Sequence, residues 1–365
     1  KSHMNSMPFR QLKSFLKILI GVQYDRKITG SMVQFPAGGI PMRRVWKEIG
    51  TALVLGGLLP SLMVNASALL VREKPKELPI TVTTAPQTET TLDIRLRQAD
   101  GTVKEMGLEV YLTGVLLGEV PADFEPEALK AQAVAARTYT AKAVLTGGKH
   151  GDGSLCTDFS CCQAYLSEDA YLKAGGTEEG LEKIREAVTD TAGLVLSYEG
   201  SLIEATYFSC SGGRTEDAQA VWGTDYPYLR AVASPGEEAA AHYEDEIVVE
   251  PGLFQEKLGR QLGGSPEEWF GKCTRTPGGG VDTLEIGGES DSGVRLRQLF
   301  GLPSTAFTVS VEAGKIVFRT KGFGHRVGMS QYGADAMAVT GSGFREILEH
   351  YYPGTKVEEL ANFVS

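Results

Sequence analysis

Positive charge is scarce in most of this chain. Lys and Arg number 36 against 46 Asp and Glu, for a formal net charge of -10. Nine basic residues precede position 48, with Asp25 the only acid among them, so the first 47 residues carry +8 and the rest -18. A body this acidic has no broad basic surface for a phosphate backbone, which excludes nucleic acid as a partner. No repeat and no low-complexity tract is present, and no glycine run matches a P-loop or dinucleotide fingerprint. Cysteine is sparse and odd in number: five residues, which cannot all pair within one chain.

What is present begins with a membrane signal. Ile49 to Val71 is almost wholly apolar and free of charge, with Arg43, Arg44 and Lys47 just before it. That length spans a bilayer, and the flanking charge puts the N-terminus in the cytoplasm and the acidic body outside. Residues 42–71 therefore read as a single-pass signal-anchor in the cell membrane. Val64-Asn65-Ala66 keeps a cleaved signal peptide as the alternative. Residues 1–41 read as an upstream extension or expression remnant, 72–90 as a linker rich in Lys, Glu, Pro and Thr, 91–355 as the catalytic ectodomain and 356–365 as a tail.

The ectodomain mixes periodicities. Leu92 to Arg97 alternates as a strand does, and Asp100-Gly101 predicts a hairpin turn. Helices are predicted from Gly107, from Pro126 to Leu145, and from Glu178 to Thr191. Two strands surround Glu199-Gly200, and two more, Phe307–Val311 and Lys315–Arg319, surround Ala313-Gly314. A Gly-rich loop and helices follow up to Tyr352. Residues 231–293, rich in Gly and Pro, give no clear pattern. Without a βαβ rhythm the fold class is α+β, expected as two lobes with a cleft.

Four constellations carry chemistry. Leu112, Val115, Leu116 and Glu119 share one helical face. A carboxyl on an apolar stripe loses solvation, so its pKa rises and it stays protonated, as a general acid must. The alternative is an exposed Glu at a helix end. Arg137 lies in an Ala-rich helix surface where it can pair with a carboxylate or touch a sugar. His150, Cys156 and Cys162 supply an imidazole and two thiolates, a donor set suited to Zn²⁺ with a fourth position open. A Cys156–Cys162 disulfide, or Cys161 in place of Cys162, are the alternatives. Last, Gly322 to Gly333 packs four glycines around His325, Ser330, Gln331 and Tyr332, and Ser209 to Thr215 is a similar polar run. These suit sugar contact, or tight turns with satisfied polar groups.

Together, Gly118-Glu119-Val120-Pro121, Glu127 to Tyr139, Cys162-Gln163-Ala164-Tyr165, Ser211-Gly212-Gly213 and Gly322 to Gly333 resemble, in this order, the stage II sporulation protein D family of membrane-anchored lytic transglycosylases. The resemblance covers roughly residues 90–355. It implies peptidoglycan glycan strands as substrate, preferably stripped of stem peptides, and forespore engulfment beside a membrane scaffold and an amidase/endopeptidase. It implies catalytic roles for Glu119 and Arg137, and a Zn²⁺ site at His150, Cys156 and Cys162 as in clostridial members. It implies glycan contacts at Ser211, Gly212, Gly213, Gly324, His325, Ser330, Gln331 and Tyr332. Arg326 departs from the family's Gly-His-Gly-Val run. Two rival classes remain: a zinc-dependent peptidoglycan amidase with Glu119 as base, and a non-catalytic wall-binding protein.

Overall fold

The computed structural model describes residues 92–364. The expected extension, anchor and linker all lie outside them, and among the described residues no helix is long and apolar enough to cross a membrane. Alternation at the start forms β1 (Asp93–Arg97), which pairs antiparallel with β2 (Val103–Gly107) around a turn where Gly101 adopts φ +85°. Inward Ile94 and Leu96 bury completely. Two helices follow directly: α1 (Leu108–Glu119) and α2 (Pro126–Leu145). β3 (Leu155–Cys156) then joins β1 in parallel.

Helix α2 is the axis of the main lobe. Its alanines let two layers approach it from opposite sides. Leu129, Ala133 and Ala136 pack toward a core with α1 and with α4 (Glu178–Asp190), which follows the short α3 (Glu168–Lys173). Ala128, Ala131, Val134 and Ala135 pack toward a second core with strand β4 (Leu194–Tyr198), whose partner is β5 (Ser201–Leu202). The turn between them has φ +49° at Glu199 and +78° at Gly200, the primed hairpin geometry expected there.

Short elements complete this lobe: β6 (Tyr207–Phe208), β7 (Gly213–Arg214), α5 (Ala218–Trp222) and β8 (Ala233–Ser234). The illegible stretch is part of a second lobe inserted here. It comprises β9 (Glu244–Val249), α6 (Pro251–Leu258), the antiparallel β10 (Phe270–Arg275), β11 (Val281–Ile286) and β12 (Glu289–Ser292), then α7 (Gly293–Phe300), β13 (Phe307–Glu312) and β14 (Lys315–Lys321). Its core is aromatic: Phe254 contacts Trp269, Phe270, Phe300 and Phe318 at ring distances of 4.8–6.3 Å. Truncating a fully buried Phe to Ala in such a core costs roughly 3–5 kcal/mol.

The chain then returns through β15 (Met329–Ser330), parallel to β6, and helices α8 (Gln331–Val339) and α9 (Phe344–Tyr351). Residues 356–365 are not a loose tail, as expected. β16 (Lys356–Glu359) pairs antiparallel with β4, and Leu360 buries in the first core. Four polar-rich residues gave no strand signal, because ladder pairing rather than propensity makes this strand. The α+β class and the two lobes stand. A cleft of about 650 Å³ lies between them, lined by Gly212, Arg214 and Arg326 on one side and Arg275, Phe307 and Arg319 on the other. Glu119 is not in it.

Candidate functional site

Glu119 ends α1, whose residues Tyr111 to Leu117 are all buried. The helix carries its last carboxyl to the edge of the first core, where the side chain is half-buried. Gly114 and Gly118, one turn apart on α1, make room for the segment after Cys162. A Cβ at Gly118 would come within 3.0 Å of the Ala164 and Tyr165 backbone, and one at Gly114 would overlap the Tyr165 ring. The Leu166 N–H donates to the Gly114 carbonyl at 2.9 Å, and the Ala164 N–H donates to Glu119 Oε1 at 2.6 Å.

Burial pushes the Glu119 pKa above the usual carboxylate value. The Ala164 N–H, and to a lesser degree the nearby Gln331 amide, pull the other way and lose. Gln331 is buried, and its Nε2 makes no hydrogen bond of normal geometry to any described residue. So a largely desolvated acid faces an amide with a spare donor. No second carboxylate is among the groups that set the Glu119 charge.

Around it lies a polar network that the sequence reading missed. The Tyr207 hydroxyl donates to Gln163 Oε1 at 2.7 Å, and Gln163 Nε2 donates to Thr140 Oγ1 at 2.8 Å and Tyr111 Oη at 3.4 Å. Burial, followed by the Glu119 charge, keeps the Tyr207 phenol protonated far above neutrality. The position of Gln163, beside Cys162 in the segment that grips Glu119, was the available signal.

Two residues before Ala164 the candidate metal centre closes. His150, Cys156, Cys161 and Cys162 bring one ligand atom each to within 4.8 Å of one another. His150 Nε2 lies 3.7 Å from Cys161 Sγ and 3.6 Å from Cys162 Sγ. All five cysteines are free thiols, so the Cys156–Cys162 disulfide is not formed. The expected three-ligand set gains Cys161 as a fourth, because the turn at Asp158 points both adjacent thiols inward; the Asp158 carbonyl accepts from the N–H groups of Cys161 and Cys162 at 3.0 and 2.8 Å. One imidazole and three thiols are a donor set suited to a four-coordinate tetrahedral cation. Burial pushes the Cys162 thiol up to about 12; thiols converging this way suit a cation that would ionise them.

Arg137 is elsewhere. It is fully buried. Nε and Nη2 donate to Glu109 at 2.9 and 2.6 Å, Nη2 to the Val188 carbonyl, and Nη1 to Leu194 O and Thr191 Oγ1. Every guanidinium nitrogen is engaged within the protein. Arg137 therefore ties α1 to the end of α4 and to β4, with no guanidinium nitrogen left free at the surface.

The first glycine loop also turns inward. Ser211 N–H and Oγ–H and the Gly212 N–H converge on Glu237 Oε2 at 2.7, 2.8 and 2.9 Å. Gly213 N–H donates to Ser211 Oγ at 3.0 Å. An internal carboxylate occupies the donors expected to face glycan. In the second loop, Ser330 caps α8 by accepting from the Gly333 N–H. Gly324, at φ +115°, lies where a Cβ would come within 2.9 Å of Phe208. The Tyr332 ring packs edge-on against Phe124 at 5.0 Å. Of the second loop's predicted contacts, Gln331 alone is drawn to Glu119; His325 lies instead beside Trp222 and Phe208. Arg326 adopts φ +65°, a conformation that favours glycine, and its buried guanidinium pairs with buried Glu216 and caps the carbonyls of Ser211, Arg214 and Gly278. It fastens the inserted lobe rather than a ligand.

Known proteins match this chain closely. A family model described as stage II sporulation protein matches residues 97–198. The stage II sporulation protein D of Bacillus amyloliquefaciens and that of Bacillus subtilis (strain 168) are each 40% identical over 274 residues, 74% of this chain and 79% of the relative. The amidase enhancer of Bacillus subtilis (strain 168) is 29% identical over 304 residues, 67% of this chain but 40% of that protein. The matched model includes Glu119, the thiol–imidazole cluster and the segment joining them, and with identity at this level over this span the chain belongs to the stage II sporulation protein D family.

Proposed function

We propose that this chain is a lytic transglycosylase of peptidoglycan glycan strands, acting in sporulation with Glu119 as its single acid and base. The carrying observation is a carboxyl that burial pushes toward its protonated form, with a single backbone N–H, that of Ala164, bonded to it. A hydrolase needs a second carboxylate to attack or to activate water. A lone acid suits a reaction whose nucleophile is in the substrate. Protonated Glu119 gives its proton to the oxygen between N-acetylmuramic acid and N-acetylglucosamine, and that bond to C1 breaks. The carboxylate then takes the proton of the muramic C6 hydroxyl as O6 closes on C1. The products are a 1,6-anhydro sugar and a free 4-hydroxyl, with no water consumed.

His150, Cys156, Cys161 and Cys162 would hold Zn²⁺. In a closed shell of this kind zinc supplies rigidity, and the chain would use it to fix residues 161–165, which place the Ala164 N–H on Glu119. A filled shell counts against the amidase reading, which needs an open position. The name of the amidase enhancer favours a partner amidase that acts beside this chain, with a membrane scaffold as a further partner. We place the chain at the cell membrane through the apolar segment 49–71, with the described residues outside the cytoplasm. Protease digestion of intact and permeabilised cells tests that topology; a body digested only after permeabilisation would overturn it. The reaction is tested by mass spectrometry of peptide-free glycan strands. Anhydromuramic ends are expected from the unaltered chain and not from Glu119→Gln, and freed stem peptide from substituted strands would instead establish the amidase.

A further inference from the structure

We propose that Arg297, His325 and Trp222 form a subsite for a free sugar carboxylate, carried by a residue of the glycan that flanks the cleaved bond. The inference rests on the glycan reading above for its substrate, but not on the chemistry at Glu119.

Most half-buried arginines of the described residues have carboxylate partners or are spent on several carbonyls. Arg97 pairs with Asp152, Arg185 with Glu168, Arg230 with Asp225 and Arg260 with Asp291. Arg297 is different. Its Nε donates to the Leu302 carbonyl at 3.2 Å, while neither Nη makes a hydrogen bond or ion pair with a described residue. Neither Nη is sealed off as a buried orphan. The side chain is half-buried, and burial weakens its hold on the proton. A guanidinium held by one edge presents its other edge as a planar fork, the geometry that binds a carboxylate bidentately.

The next residues join this fork to the glycine loop. Pro303, beside the Leu302 that holds Arg297, accepts the Gly324 N–H at 3.1 Å, and His325 follows. The Val327 N–H donates to His325 Nδ1 at 3.1 Å, so the neutral ring carries its proton on Nε2. Burial, then the Arg297 charge, lowers the His325 pKa to about 4, and the Tyr207 backbone takes the remaining ring N–H, so His325 is a neutral support for the site and leaves the carboxylate to Arg297. Trp222 lies 5.3 Å from the His325 ring and is 41% exposed, a flat apolar face of the kind on which a sugar ring stacks. The loop that carries His325 runs on to Gln331, the amide beside Glu119, and Phe208 of β6 meets the His325 ring at 5.5 Å. In peptidoglycan the matching group is the lactyl carboxylate of muramic acid, which is free only where no stem peptide is attached.

The test measures binding by calorimetry with the full chain and two probes: peptide-free glycan strands, and the same strands with their lactyl carboxylates converted to amides. Arg297→Gln is expected to weaken binding of the acidic strands about tenfold and to leave the amidated strands unchanged. Arg297→Lys keeps the helix-end charge but not the fork, so it is expected to restore thermal stability and only part of the affinity. Equal losses for both probes, no loss for either, or full recovery of acid-strand affinity by Lys would overturn the subsite. Selective, Arg297-dependent binding without anhydro products would uphold it and refute the transglycosylase reading.

Discussion

Glu119 and Glu237 are both acids drawn into the interior, and the protein solvates them in opposite ways. Glu237 is buried and receives two backbone N–H groups and two serine hydroxyls from Ser211, Gly212 and Ser234. Glu119 receives one backbone N–H and sits beside an amide whose Nε2 is unspent. Fully satisfied, a carboxylate is a fastening. Desolvated and barely satisfied, it is pushed toward its protonated form, the form that can give a proton away. The same contrast separates Glu109, gripped on both oxygens by Arg137. The proposed function falls on the carboxyl that the fold leaves incomplete.

The largest effect that separates these regions should come from the metal ligands. Cys161→Ser should lower metal content as much as Cys156→Ser or Cys162→Ser, losing at least about 4 of the roughly 10–16 kcal/mol of a structural zinc site. Activity and stability should fall together, because the loop that reaches Glu119 loosens, while Cys273→Ser changes neither. Full metal in the Cys161 variant would return the site to three ligands. Next, Arg137→Ala should cost about 3 kcal/mol of stability, since it strands a carboxylate and two carbonyls. In whatever fraction stays folded, KM should hold; a selective rise in KM would restore a substrate role.

Glu119→Gln should cut turnover at least about a hundredfold, close to 2.7 kcal/mol of barrier. Its stability should move the other way. The raised pKa means that ionising Glu119 opposes folding, a penalty absent below the ordinary carboxyl pKa and fully present above the raised one. The amide removes that penalty, so the melting temperature at pH 7 should hold or rise, and the unaltered enzyme's rate should fall as pH climbs through the raised pKa. The smallest effect should be Glu237→Gln, about 2 kcal/mol of stability from donors left facing an NH₂ group, with turnover per folded molecule preserved. Turnover lost beyond stability would make the first glycine loop a working part of the site.

Much of this contrast was legible in the sequence, because its signals are local. Alternation from Asp93 to Arg97, Pro126 at a helix start and Glu199-Gly200 at a turn each act within a few residues. The same holds for the apolar stripe ending at Glu119 and the His150–Cys162 spacing. Of the inserted lobe only the last two strands, around Ala313-Gly314, were legible. Its core joins Phe254, Trp269, Phe300 and Phe318 across more than one element, which no short window can see. The partners of Arg137 and Ser211 are also distant, at Glu109 and Glu237, so residues with the look of ligand contacts proved to be internal ties. The choice between Cys161 and Cys162 stayed open for a simpler reason: spacing cannot tell which of two adjacent thiols lies by His150, and here both do.

The central claim is that Glu119 works without water as a reactant. Peptide-free glycan strands digested by the full chain in heavy-oxygen water test it directly. The account predicts anhydromuramic ends free of the heavy isotope, none of them formed by Glu119→Gln. Reducing ends carrying the heavy oxygen at C1 would contradict it and make the chain a hydrolase with a second group yet to be found.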